Sequence, residues 1–158
     1  MKITVLCNDL GIRLPGSKGA SVHLRSITRA FARIGHQVQL VAVAGHEPLD
    51  SSLRELLSDV VMFDHPGRSE GVERERRKLA HIEHMMEVAG PAIEAFAPQM
   101  IYERLSLFSD AGARLAGRLG IGLKAGEVIL SGSQSPLVPV KAGDSLVCTV
   151  GGLGGTSV

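Results

Sequence analysis

The feature that most constrains the fold is the alternation of short apolar runs with helical patterns over residues 1–121. Residues 2–7 and 38–44 are apolar and rich in β-branched side chains, which indicates strands buried on both faces. Between them, apolar residues recur at spacings of three and four and predict a helix that Gly35 ends. Its predicted inner face consists of Ala20, Leu24, Ile27, Phe31 and Ile34.

The same alternation continues along the chain. Residues 60–63 and 100–102 have the composition of strands, and residues 106–119 have a helical pattern. A long helix is predicted before the last strand, with a kink or an end at Pro91. Its apolar face comprises Val72, Leu79, Ile82, Met86, Ala89 and Ile93. Strands and helices joined by short links predict an α/β fold, with a Rossmann-like parallel sheet flanked by helices.

The composition argues against several classes of partner. A net charge of +1 and an aromatic content of 3% do not favour nucleic-acid binding. No run approaches the ~20 apolar residues of a stable membrane span. Cys7 and Cys148 lie in apolar runs, as buried thiols do in a reducing compartment, and residues 1–7 lack the long apolar segment of a signal peptide. We therefore expect a cytoplasmic location.

A glycine-containing loop follows the first strand, at the edge where parallel sheets bind ligands. Gly16 and Gly19 permit close backbone approach, and Ser17 or Ser21 has the side chain of a helix cap. The helix N-terminus favours an anion, typically phosphate, and Lys18 with Arg13 adds positive charge. A flexible turn without a ligand remains an open alternative. The spacing fits neither the dinucleotide fingerprint nor the GxxxxGK[ST] phosphate loop.

Two stretches carry a first resemblance. MKITVLCNDLG, followed by PGSKGASVHLRSITRAFARIGHQVQLVAV, resembles the opening of family-four glycosyltransferases, which have two Rossmann-like domains. The stretch QMIYERLSLFSDAGARLAGRLGI is similar to a later region of the same N-terminal domain. The resemblance covers residues 1–121 and implies a GT-B type domain.

This resemblance implies a set of site residues. Gly16, Ser17, Lys18, Gly19 and His23 would lie at the cleft between the two domains, facing a nucleotide-sugar diphosphate or the acceptor. Tyr102, Glu103 and Arg104 would lie on the same rim. The residues alone leave open a structural alternative, in which Glu103 is a helix N-terminal acid and forms a surface ion pair. The family's nucleotide-binding C-terminal domain has no counterpart here.

The last part of the chain carries a second resemblance. GLKAGEVILSGSQSPLVPVKAGDSLVCTVGGLGGTSV, at residues 122–158, is similar to the C-terminal end of 2-keto-4-pentenoate hydratases in the fumarylacetoacetate hydrolase superfamily. It implies that Ser131, Gly132 and Ser133 lie beside a substrate carboxylate. The metal of that family is held by upstream carboxylates that this chain does not match. The sequence therefore predicts two domains, 1–121 and a β-rich segment 122–158 that completes or is appended to the sheet.

Two further clusters of polar side chains have simple interpretations. His81, His84 and Glu87 share one side of a helical pattern, but surface polarity explains them better than zinc. Arg25, Arg29 and Arg33 form a stripe for which a solvated face is favoured over a membrane surface or an acidic partner. We expect no metal and no cofactor.

The functional hypotheses are three. The chain is a truncated glycosyltransferase-like domain, not catalytic alone, that binds phosphate or a nucleotide weakly; a hydratase relative; or a non-catalytic chimera. The predicted strand at residues 127–131 fills a vacant place in the sheet, and residues 137–140 and 145–150 form an antiparallel pair whose unpaired edges favour a homo-oligomer.

Overall fold

The computed structural model describes residues 1–67, 70–106 and 109–122 in full, and the backbone of residues 147–150 and 154–157. Within this part, five strands form one parallel sheet: β1 (Lys2–Cys7), β2 (Arg13–Leu14), β3 (Gln37–Ala44), β4 (Asp59–Phe63) and β5 (Met100–Glu103). Four helices connect them: α1 (Gly19–Arg33), α2 (Ser51–Arg54), α3 (Gly71–Phe96) and α4 (Ala111–Leu119). The predicted α/β fold is confirmed.

The strand order across the sheet is β4-β3-β1-β5. The short strand β2 lies beyond the end of β1, because β1 pairs with β3 as far as Ala42 and β2 pairs with Val43 and Ala44. Every one of these pairings is parallel, so the loops after β1, β3 and β4 emerge at one edge of the sheet. Parallel α/β sheets present their ligands at this carboxyl edge.

Alternate residues of β1 supply two hydrophobic cores, one on each face of the sheet. Ile3 and Val5 pack with Leu24 of α1 and with Leu53 of α2. Leu6, on the opposite face, belongs to the core formed with α3 and α4. This two-sided burial explains why the sheet strands are almost continuously apolar instead of alternating.

Helix α1 buries a more polar face than the sequence pattern predicts. Ser21, Leu24 and Thr28 are its buried residues, and the Thr28 hydroxyl is satisfied because it donates to the Leu24 carbonyl at 2.6 Å. Ile34 is 68% exposed, so its assignment to the inner face is wrong. The helix ends at Arg33, and Gly35, with φ of +92°, turns the chain into β3.

The sequence pattern predicts a kink or an end at Pro91. Helix α3 does not end there, but continues through Pro91 to Phe96. Its buried residues Met85, Ala89 and Ile93 hold both sides of the proline against the sheet, which compensates for one missing hydrogen bond. The N-terminal part of the helix is different. Val72 is 73% exposed and Leu79 is 54% exposed, so both were wrongly placed in the core.

The predicted helix at 106–119 begins later, at Ala111, because residues 104–106 leave β5 in an irregular loop. Beyond Leu119, Gly120 is in the left-handed conformation and ends α4. In the C-terminal region, β6 (Val147–Val150) pairs antiparallel with β7 (Gly154–Ser157). The predicted strands at 127–131 and 137–140 lie outside the described residues. No described helix is long and apolar enough to cross a membrane.

Candidate functional site

A cleft of about 720 Å³ opens at the carboxyl edge of the sheet. It is lined by the loops that follow β1, β3 and β4 and by the N-terminal half of α3. Among the predicted site residues, Gly16, Ser17 and Lys18 line it. The structure therefore brings the glycine loop to a ligand-sized cavity, at the edge where the sequence predicted a ligand.

The walls of the cleft are predominantly basic. Among the described residues that line it, five carry cationic side chains (Arg13, Lys18, Arg74, Arg77 and Lys78) and two are carboxylates (Asp9 and Glu70). Several of the cations are held in place by the protein itself. Lys18 Nζ donates to the Gly11 carbonyl at 3.1 Å, an Arg13 nitrogen lies 3.1 Å from His46 Nε2, and Arg77 donates to the Pro66 carbonyl at 3.1 Å.

The basic wall on α3 was not anticipated from the sequence. Arg74, Arg77 and Lys78 lie in the first turns of α3, which border the cleft. Val72 and Leu79 are exposed in the same part of the helix, whose buried residues begin only at His81. The sequence feature that could have predicted this basic wall is the density of cationic residues after a strand end.

Two helices begin at the cleft, and neither has a side-chain cap. The N-cap residue of α1 is Lys18 and that of α3 is Glu70, and neither side chain bonds to the helix N–H groups. The predicted cap by Ser17 or Ser21 is wrong. The first turn of α1 contains no acidic residue, whereas that of α3 contains Glu73, which pairs with Arg77 at 3.5 Å. Positive charge therefore accumulates at the positive end of α1.

The two glycines of the loop have different roles. A Cβ on Gly16 would lie 2.6 Å from the Arg13 carbonyl and 2.8 Å from Ser21 Oγ, so the loop's own packing requires glycine there. A Cβ on Gly19 would meet nothing within 4 Å. Close packing inside the protein thus accounts for Gly16, and its predicted role in ligand approach is not needed to explain its identity.

The predicted rim residues lie outside the cleft and do not cluster, because Glu103 contacts the start of α4 whereas Tyr102 contacts α1. The Glu103 carboxyl accepts a hydrogen bond from the Gly112 backbone N–H and one from Ser109 Oγ at 3.4 Å, and burial raises its pKa. His23 Nε2 lies 3.2 Å from the Tyr102 hydroxyl. The described cleft lining includes Ser106 but not His23, Tyr102, Glu103 or Arg104. Glu103 is a helix N-terminal acid, as the structural alternative proposed.

Two buried polar side chains form part of the cleft floor. Asn8, directly after β1, is 3% exposed, and its Oδ1 has no hydrogen-bond partner among the described residues. His81 of α3 is 4% exposed, and its Nε2 also lacks a partner in this part of the chain. Unsatisfied buried polar atoms are rare in native proteins, so two at one cleft call for an explanation.

The assignment of His81 to surface polarity is wrong. Its ring packs edge-on against Phe63, with centroids 5.4 Å apart. Burial, with smaller contributions from His84 and His65, lowers the His81 pKa from 6.5 to about 4. His81 is therefore neutral at physiological pH, in a cleft whose walls carry fixed positive charge. His84 and Glu87 are exposed, and no group of three potential metal ligands occurs within the described ranges.

The arginine stripe of α1 is used within the protein. Arg25 donates to the Gly16 carbonyl at 3.1 Å, and Arg29 pairs with Asp50, the N-cap of α2. These contacts fix the glycine loop and α2 against α1. Only Arg33 of the three is exposed, so the stripe does not form a continuous cationic surface.

Comparison with known proteins identifies hydratases. A stretch of 46 residues is 52% identical to a 2-hydroxyhexa-2,4-dienoate hydratase of Comamonas testosteroni, over 29% of this chain and 17% of that protein. A stretch of 42 residues is 52% identical to a 2-keto-4-pentenoate hydratase of Paraburkholderia xenovorans (strain LB400), over 27% of this chain and 16% of the relative. A Pseudomonas putida 2-keto-4-pentenoate hydratase matches to the same extent. The chain thus spans about one sixth of these relatives.

These matches confirm the hydratase resemblance and correct the glycosyltransferase interpretation. The curated proteins that match are hydratases and not transferases. The chain matches no family model, and no solved structure matches it significantly. Residues 1–121 thus have the predicted α/β architecture without support for the transferase family. The motif order that suggested this family is also what any strand–loop–helix–strand unit of this kind would show.

Proposed function

We propose that the chain binds a small anion, of the phosphate type, in the cleft at the carboxyl edge of its sheet. The observation that carries the proposal is the N-terminus of α1, which opens on a cleft with five cationic side chains and has neither a side-chain cap nor an acid in its first turn. Cations at the positive end of a helix are destabilising unless an anion accompanies them.

The physical basis is the sum of two effects. The unsatisfied N–H groups of a first helical turn point toward an anion and donate hydrogen bonds to it. Lys18 and Arg74 add Coulomb attraction, worth about 1 kcal/mol per pair in water and more where the cleft excludes water. A ligand with two or more negative oxygens would satisfy both the helix end and the basic wall.

Isothermal titration calorimetry with inorganic phosphate tests the proposal. We expect weak, roughly millimolar binding, about −4 kcal/mol. Lys18→Ala and Arg74→Ala should each weaken it about fivefold, which corresponds to about 1 kcal/mol. Arg33→Ala on α1 and Arg76→Ala on α3 are the matched controls, because both are exposed and neither lines the cleft. Equal losses in the control variants would show that binding is non-specific.

An NMR titration locates the ligand directly. The amide signals of residues 16–21 should shift with phosphate, because they include the first N–H groups of α1. If these signals stay still at millimolar phosphate while others move, the anion binds elsewhere and the proposal fails.

A second candidate function concerns residues 122–158. We propose that they are a hydratase-related segment joined to the α/β unit of residues 1–121, in which Ser131, Gly132 and Ser133 stand beside a substrate carboxylate. The supporting observation is the 52% identity to hydratases over 42 to 46 residues. These three residues lie outside the described part of the chain.

The hydratase candidate is tested by turnover of 2-hydroxyhexa-2,4-dienoate with added magnesium or manganese. Hard cations need several oxygen ligands in one place, and the described residues do not fit such a site. We therefore expect no turnover above the uncatalysed rate. Turnover that a chelator abolishes would establish the hydratase function in place of a purely binding one.

A further inference from the structure

The floor of the cleft contains an acceptor that no described residue satisfies. Asn8 Nδ2 donates to Ser109 Oγ at 2.9 Å, so one end of the amide is anchored. Asn8 Oδ1, at the other end, has no partner. The cleft's cations have only donors, and they reach other groups: Lys18, for example, bonds to the Gly11 carbonyl.

The orientation of the Asn8 amide follows from its surroundings. Ser109 Oγ accepts from the Ala111 backbone N–H at 3.3 Å and directs its own proton to Glu103 at 3.4 Å. Because that proton is committed, Ser109 can only accept from Asn8, and the amide must turn its NH₂ group toward the serine. The carbonyl oxygen is left over as an acceptor beside the cleft.

We infer that the anion bound here also carries a hydroxyl group, which donates to Asn8 Oδ1. The inference rests on the proposed anion site and names its ligand class: a hydroxylated phosphate monoester or a hydroxycarboxylate of similar size. The anionic group meets α1 and the basic wall, and the hydroxyl meets the floor. Asn8 Oδ1 is itself buried, so contact with the ligand requires a rotation of the side chain.

A second residue of the cleft floor, His81, also suits a hydroxyl group of the ligand. His81 Nε2 is also buried without a partner, and the neutral imidazole either donates or accepts according to its tautomer. A hydroxyl group is both donor and acceptor, so one type of ligand group suits both floor residues. An anion without a hydroxyl group can accept from His81 but cannot donate to Asn8 Oδ1.

Calorimetry with two matched phosphates tests the inference. Glycerol 3-phosphate and n-propyl phosphate have the same carbon chain and anionic group, and differ in two hydroxyl groups. We expect glycerol 3-phosphate to bind about fivefold more tightly, the effect of one net hydrogen bond. Equal affinities would overturn the inference and leave the anion site intact. Failure of both phosphates to bind would instead overturn the proposed function.

Variants then assign the preference to Asn8. Asn8→Ala should bring the ratio of the two affinities to about one, with n-propyl phosphate binding unchanged. Ser109→Ala removes the same Asn8–Ser109 hydrogen bond but keeps the carbonyl oxygen, so it should retain the preference. A preference that persists in Asn8→Ala would overturn the assignment. If that variant does not fold, the ratio measured on the parent chain still decides the ligand class, and glycolate against acetate tests the hydroxycarboxylate arm.

Discussion

The helices α1 and α4 begin at the same edge of the sheet, and their N-termini are satisfied differently. At α4, the buried carboxyl of Glu103 accepts from the Gly112 N–H, so the protein supplies its own acid to the helix end. At α1, the N-cap is a lysine, and the cleft is open. The two regions differ in the residue at the strand end: β5 ends in Glu103, whereas β1 is followed by neutral Asn8. One helix end is internally satisfied and structural, and the other is available to a ligand.

Two titratable groups in these regions are removed from solvent: Glu103 is partly buried beside α4, and His81 of α3 is buried in the cleft floor. Burial shifts both pKa values toward the neutral form, raising that of Glu103 and lowering that of His81 to about 4. Glu103 has hydrogen-bond partners, whereas His81 Nε2 has none among the residues that the structure describes. Burial of a titratable group therefore does not by itself indicate a ligand site. A buried polar atom without a hydrogen-bond partner does.

The largest expected effect tests His81 through pH. Its pKa is 6.5 in the unfolded chain and about 4 in the folded one, so the unfolded chain binds the proton first as the pH falls. The stability that neutral His81 contributes is present above pH 6.5 and is lost progressively toward pH 4, by up to roughly 3 kcal/mol. Urea unfolding of the parent chain and of His81→Leu between pH 7 and pH 4 measures this loss.

The control for that series is His84→Leu, an exposed histidine on the same helix. It should retain the parent's loss of stability with falling pH, while His81→Leu should lose less than the parent. Identical pH profiles for His81→Leu and the parent would mean that His81 is as solvated in the folded chain as in the unfolded one.

A smaller effect distinguishes the two loop glycines. In Gly16→Ala, the added Cβ collides with the Arg13 carbonyl and Ser21, which should lower the free energy of unfolding by about 2 kcal/mol. Gly19→Ala has open space at the start of α1 and should be neutral or stabilising by up to about 1 kcal/mol. Chemical denaturation compares the two. Equal losses of stability in the two variants would indicate that both positions need the backbone freedom of glycine, and not that packing alone requires glycine at position 16.

The smallest expected effect lies at α4. In Gly112→Ala, the Cβ would come within 2.1 Å of a Glu103 oxygen, and the carboxyl must rotate away from its donors. The lost hydrogen bond should cost about 1 kcal/mol, partly offset by alanine's helix propensity. Gly117→Ala, with nothing within 4 Å, should be stabilising by nearly that amount. Thermal unfolding of both variants should therefore shift in opposite directions; a shift in the same direction would remove the evidence that Glu103 fills this end.

The C-terminal region offers a contrasting lesson about resemblance. For residues 122–158, a continuous resemblance pointed to hydratases, and hydratases that are 52% identical over 42 to 46 residues of the chain support that family. For residues 1–121, the resemblance rested on the order and spacing of a glycine loop, a helix and a second strand, together with a later stretch around residues 99–121, and nothing supports the family it suggested. The order of such short motifs indicates the fold, and many unrelated families share that fold.

The sequence by itself determined the strand and helix alternation, the two-sided burial of the sheet, and the position of residues 14–21 at its carboxyl edge. These follow from local periodicity and from the direction of parallel strands, which are properties of short stretches. It did not reveal β2, whose two residues are too few for a pattern, or the true start of α4.

Only the tertiary structure decided which side chains meet at the cleft. Helical spacing places His81 and Arg77 on known faces of α3, but it does not say where the sheet beneath that helix stops. In the first turns of α3, apolar Val72 and Leu79 are exposed and the neighbouring cations line a cavity. The lack of a partner for Asn8 Oδ1 likewise depends on Ser109, about a hundred residues away in the chain, which no local pattern connects to it.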